Sequence, residues 1–244
     1  MKRHIPNLIT LLNMACGTTA IVFALEGQWR WAVYLLLAAA LFDFLDGLLA
    51  RLLNAYSETG KQLDSLADMV SFGLLPAFFI YSIFRYQLTG PGNDGWTSNP
   101  MFQLVILSSV LIVPIFSAIR LARFNLEVPG ELFFHGLPTP AHALFWTGLY
   151  WQFMQDGLIF GNSLNIFFLW AIMLIMALYM ILPVPMYTMK FEHFRLRGNL
   201  IRYLMILIAL IILLLTGLTG LSLMILIYIL ISLLNLLLPS LVSR

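Results

Sequence analysis

Apolar residues run through this chain in blocks, each closed by a charge, a glycine or a proline, and neither the alternation of a strand nor the one-sided stripe of a water-exposed helix persists. A helix needs about 20 apolar residues to cross a hydrocarbon core about 30 Å thick. Blocks of that order lie at 8–25, 31–53, 63–86, 102–124, 139–160, 164–189, 200–217 and 220–238. The pattern therefore predicts an all-α integral membrane protein, a bundle of about eight transmembrane helices forming one polytopic domain over 1–244. The final pair is the least clearly divided, because only Thr216, Gly217, Thr219 and Gly220 punctuate the run from Leu200 to Leu238.

Composition strengthens this picture. Hydrophobic residues make up 61% of the chain and charged ones 10%, more apolar surface than a soluble domain of 244 residues buries, so a lipid bilayer is the expected solvent. A nucleic-acid partner is not expected. With the N-terminus placed in the cytoplasm, 11 of the 13 Lys and Arg fall inside, and only Arg30 and Arg85 lie outside. An even number of spans with both termini cytoplasmic gives that sorting, and a cell-membrane location follows. The first apolar block reads as a span and not a cleaved leader, since Pro6, Asn7, Thr10 and Asn13 interrupt it. Cys16 is the one cysteine, so no intrachain disulfide forms.

Against this background residues 42–73, FDFLDGLLARLLNAYSETGKQLDSLADMVSFG, stand apart. Asp43 and Asp46 are three apart and share a face of the second predicted helix, while Asp64 and Asp68, four apart, share a face of the third. A short cytoplasmic connection joins these two helices. Both carboxylate pairs are thus expected at a polar cavity open to the cytoplasm. Crowded carboxylates repel one another and call for counter-charge, and oxygen ligands without His or Cys suit hard divalent ions, Mg²⁺ or Mn²⁺. Four carboxylates suffice for two ions, a device suited to displacement at phosphorus. Gly47, Ala50 and Gly60 leave room for close approach of a ligand or a helix, and Arg51 suits a phosphate.

The full spacing, Asp43-x2-Asp46-Gly47-x2-Ala50-Arg51-x8-Gly60-x3-Asp64-x3-Asp68, resembles the signature of the CDP-alcohol phosphotransferase family at every position. That resemblance implies a two-metal membrane enzyme in which a hydroxyl attacks a CDP-linked lipid or alcohol and CMP is released. It implies that Asp43, Asp46 and Asp64 hold one ion, that Asp43, Asp64 and Asp68 hold the other, and that Asp68 is the catalytic base. It also places Asn7, Thr10, Gly47, Arg51 and Ser57 on CDP-diacylglycerol. IPNLITLLNMACG at 5–17, LDSLADMVSFGLLPA at 63–77, RLARFN at 120–125 and GLPTPAHA at 136–143 are similar to the members that use CDP-diacylglycerol and L-serine. ILPVPMYTMKF at 181–191 departs from that pattern, where a Ser-Asn pair is expected. The last three helices carry no resemblance, and homodimer formation is left open.

Other residues admit duller readings. Arg120 and Arg123, three apart, are candidate contacts for the acceptor or a phosphate, or simply basic residues at a cytoplasmic helix end. His135 and His142 flank a proline-rich turn and are expected to shape a helix start. Lys190, His193, Arg195 and Arg197, with Phe191 and Phe194, resemble an interfacial segment that seats on anionic headgroups. Two rivals remain at this stage: the same chemistry with glycerol 3-phosphate or inositol phosphate as acceptor, and a divalent-cation transporter. An anionic acceptor would require extra cations in its pocket, and transport does not require the fixed Gly, Ala and Arg.

Overall fold

The structure, a computed structural model, describes residues 4–89, 99–126, 134–156, 166–186 and 199–237. It is built almost wholly of helices. The first hairpin joins α1 (His4–Leu25) to α2 (Trp29–Leu52). Its turn is set by Gly27, whose φ of +73° places it in the left-handed region, while the Gln28 and Gly27 amides bond the Phe23 and Ala24 carbonyls. Asn54, at φ +48°, closes α2 in the same way, with the Ala55 amide on the Ala50 carbonyl. Ser57 then caps α3 (Glu58–Asp68) by accepting from the Gly60 amide at 3.0 Å.

That cap corrects the expected boundary at 63: the helix starts at Glu58 because backbone capping, not the onset of apolar residues, fixes its end. Beyond Asp68 the chain stays helical through a π segment (Met69–Leu74) into α4 (Leu75–Thr89). Pro76 accounts for the widening. Its missing N–H cannot serve the Phe72 carbonyl, and the Leu75 amide instead bonds Val70 across the wider turn. Pro114 acts similarly on the expected span 102–124, which is broken into α5 (Pro100–Ser109) and α6 (Ile112–Leu126), with the Val113 amide reaching back only to Val110.

A two-residue pair, β1 (Phe134–His135) against β2 (Pro185–Met186), ties the approach to α7 (Thr139–Asp156) to the end of α8 (Ile166–Ile181). Helices α9 (Leu200–Thr216) and α10 (Gly220–Leu237) pack on each other across a 3₁₀ turn at Gly217, whose φ is +61°. Among the described residues, five helical segments are long and apolar enough to cross a membrane: His4–Leu25, Trp29–Leu52, Glu58–Thr89, Pro100–Leu126 and Arg202–Leu234. The core lies around α4 and α7, where Phe79 stacks on Tyr150 at 4.2 Å and Trp146 is fully buried. Ser222 of α10 donates to the Phe145 carbonyl at 2.6 Å, and a Cβ on Gly148 would come within 2.6 Å of the Ser222 nitrogen, so α10 crosses α7 at close range.

Two features position the site. α1 packs along α2 and also against α3, the π segment and α4, so it is the common partner of both aspartate-bearing helices. At the other end of α2, Trp29, Trp31 and Tyr34 form an aromatic group with Trp151 of α7, and the Arg30 guanidinium sits 5.0 Å over Trp29. Lys2, Arg3, Lys190, Phe191, His193, Phe194, Arg195, Arg197 and Arg244 lie outside the described residues, as does the loop at 90–98.

Candidate active site

Helical spacing does bring the carboxylates together. One carboxylate oxygen from each of Asp43, Asp64 and Asp68 lies within 4.8 Å of the others, a set that could hold a metal ion. The donor set consists of hard oxygens alone, as Mg²⁺ and Mn²⁺ prefer. Asp46, on the same face of α2 and 5% exposed, accepts at 2.5 Å from the Thr10 hydroxyl of α1. It stands outside the closest trio because that bond draws it toward α1.

Asp46 and Asp64 open onto a cavity of about 520 Å³. Pro6, Asn7 and Thr10 of α1, Gly47 and Ala50 of α2, and Ser57, Glu58, Gly60 and Lys61 line it, together with Ala55 and Tyr56 of the connection between α2 and α3. Gly47 and Gly60 play different parts here. A Cβ on Gly47 would meet no atom within 4 Å, so this glycine presents bare backbone to open space. A Cβ on Gly60 would lie 2.9 Å from the Ser57 hydroxyl and 3.0 Å from the Asn7 side-chain oxygen, so this glycine lets α1 and the cap approach α3.

Four of the five residues expected on the nucleotide, Asn7, Thr10, Gly47 and Ser57, line this cavity. Arg51 does not. Its guanidinium turns along its own helix, where Nε donates to the Gly47 carbonyl at 3.1 Å. Arg120 is nearly buried with its guanidinium 5.0 Å from the Phe124 ring, and Arg123 donates to the Ile181 carbonyl at 2.9 Å, tying α6 to the end of α8. Neither lines the cavity. His142 is packed inside α7, accepting from the Trp146 indole at 3.1 Å, in keeping with a helix-start residue.

Two residues beyond those predicted belong to the site. Lys61 lines the cavity and donates from Nζ to the Asn125 carbonyl at 2.7 Å, while the Asn125 amide reaches Ser65 at 2.7 Å, so α3 is pinned to α6. Asn13, fully buried on α1, donates from Nδ2 to Asp68 Oδ1 at 3.4 Å. The signal for Asn13 was its place three residues after Thr10 on the same helix face.

Residues 3–240 match the profile of the CDP-alcohol phosphatidyltransferase family. The chain belongs to that family. Members of this family are metal-dependent, which agrees with the carboxylate trio. Among similar proteins, a CDP-diacylglycerol--serine O-phosphatidyltransferase of Mycobacterium tuberculosis is 39% identical over 160 residues, covering 63% of this chain and 51% of the relative. An archaetidylserine synthase of Methanothermobacter thermautotrophicus is 37% identical over 147 residues, covering 57% and 54%. A CDP-diacylglycerol--serine O-phosphatidyltransferase of Bacillus subtilis is 35% identical over 137 residues, covering 56% and 70%. The chain thus spans about half the length of the first two relatives.

Proposed function

We propose that this CDP-alcohol phosphatidyltransferase family member transfers a phosphatidyl group from CDP-diacylglycerol to the hydroxyl of L-serine, giving phosphatidylserine and CMP. The observation that carries this reading is the meeting of Asp43, Asp64 and Asp68 beside a cavity walled by Asn7, Thr10, Gly47 and Ser57. The choice of acceptor draws on the relatives: the bacterial and archaeal names differ in lipid but share serine.

In this proposal the cytidine diphosphate lies over Asn7, Thr10, Gly47 and Ser57, Arg51 turns from the Gly47 carbonyl to meet a phosphate, and the acyl chains leave the cavity for the lipid. Asp43, Asp46 and Asp64 would hold one divalent ion and Asp43, Asp64 and Asp68 a second, Mg²⁺ or Mn²⁺, to neutralise the diphosphate and the departing CMP. Asp68 accepts the proton of the serine hydroxyl. The freed oxygen forms the new bond to the phosphorus that carries diacylglycerol, and the bond from that phosphorus to the CMP oxygen breaks with its electron pair. Residues 1–244 act as one polytopic domain crossing the cell membrane eight times, with the cavity and both termini cytoplasmic. The charge asymmetry supports that orientation.

The test is CMP release by purified protein in detergent with CDP-diacylglycerol, Mn²⁺ or Mg²⁺, and L-serine, glycerol 3-phosphate or inositol phosphate. Serine should be the productive acceptor. CMP release with glycerol 3-phosphate and none with serine would overturn the assignment.

A further inference from the structure

Asn13 is more than a packing residue. Its side chain is fully buried, its Nδ2 is committed to Asp68, and its Oδ1 has no hydrogen-bond donor among the described residues. A buried acceptor left unpaired is costly and calls for a donor that arrives with a ligand. The main chain that carries it is also held in place, through the Asn13 backbone carbonyl. Ser71 of the π segment donates to the Asn13 carbonyl at 3.1 Å, and Gly17, one turn on, lets Ser71 approach so closely that an added Cβ would lie 2.9 Å from its Cα. Helix α1 therefore presents a fixed amide to the neighbourhood of Asp68.

We infer that the Asn13 carboxamide oxygen receives the α-ammonium of the acceptor while Asp68 receives its hydroxyl. The inference rests on the assignment of serine as acceptor. In serine the ammonium and the hydroxyl stand on adjacent carbons, so two neighbouring acceptors, one hydrogen-bonded to the other, match both groups at once. An ammonium brings three donors and a charge, which strengthens a bond to an amide oxygen. A phosphate in the same place brings only acceptors and would leave Oδ1 unpaired. Asn13 is then a specificity-determining residue, and a carboxamide suits it because the NH₂ half serves the carboxylate and the oxygen half serves the substrate.

The experiment compares wild type with Asn13→Ala and with Asn13→Leu, the latter keeping the branched side-chain shape should the cavity left by alanine prevent folding. Loss of a site's hydrogen bond to a substrate polar group should raise the KM for L-serine by about tenfold or more, with the Mn²⁺ requirement unchanged. A serine KM within about twofold of wild type overturns the inference. A raised Mn²⁺ requirement also overturns it, because the amide oxygen would then serve a metal-bound group. If a variant turns over too slowly for kinetics, thermal unfolding with CMP and Mn²⁺ decides: wild type should be stabilised by L-serine but not by 3-hydroxypropionate, and the variant by neither. Retained stabilisation by serine in the variant refutes the role. Wild type that releases CMP only with another alcohol refutes the serine assignment itself, a separate failure.

Discussion

Gly47→Ala should separate stability from activity in a way few substitutions can. A Cβ at this position meets nothing within 4 Å, so the change brings no steric cost in the folded protein. Gly47 lies inside α2, where replacing glycine by alanine stabilises a helix by about 0.5–1 kcal/mol. The same methyl group protrudes into the cavity where the nucleotide is proposed to pass close to the helix backbone. Crowding a fitted contact by one methyl group costs about 1–3 kcal/mol, which corresponds to roughly a 5- to 150-fold rise in KM for CDP-diacylglycerol. Gly60→Ala is the contrasting control, because its Cβ would strike Ser57 and Asn7 and should lower stability as well as activity. The assay pairs thermal unfolding in detergent with CDP-diacylglycerol kinetics on the same preparations. Gly47→Ala protein with wild-type KM would refute the placement of the nucleotide against α2.

Further expectations concern the metal, the Asp46 contact and the topology. EDTA should abolish CMP release and Mn²⁺ or Mg²⁺ should restore it, with Asp43→Asn and Asp64→Asn more damaging than Asp46→Asn; full activity in chelator would sink the two-ion proposal. Thr10→Val removes the donor to Asp46 at nearly constant volume, and loss of a bond to a charged group, worth about 1.5–3 kcal/mol, should cut kcat/KM by about tenfold or more; unchanged kinetics would show that bond to be dispensable. In a Cys16→Ala background, Tyr56→Cys should react with an impermeant thiol reagent from the cytoplasmic face and Glu26→Cys only from the other. Labelling of both from one face would exclude the proposed orientation.

The acidic constellation was legible in the sequence because i, i+3 and i, i+4 spacings put each pair of carboxylates on one helix face, and the short connection between the two helices lets Asp43 meet Asp64 and Asp68. Thr10 was legible as a site residue but not as the partner of Asp46, since that contact depends on how α1 lies between two helices. Asn13 is hard to read from sequence for a related reason. A polar residue in a first span reads as an interruption until the helix opposite it is known. Arg51 shows the opposite limit: its position in the motif invited a place in the cavity, yet the shorter path for its guanidinium is to the Gly47 carbonyl of its own helix. The helix ends at Glu58 and Val110 escaped hydropathy because a serine cap and a proline, each acting through backbone hydrogen bonds, set them.

The π segment between Asp68 and Pro76 also sets which way the carboxylates face. Each residue of an α-helix advances the side chains by about 100°, and the wider turn takes up one residue more than an α turn does, so the segment accommodates an extra residue without changing the bearing of Asp64 and Asp68 relative to Phe79 and Ile83. Wound as a regular α-helix, the same residues would turn the two halves of the span by about that angle. The carboxylates would swing off α1 while the second half of the span kept its seat in the core, or the reverse. The widened turn between the last carboxylate and the proline is thus itself part of the site.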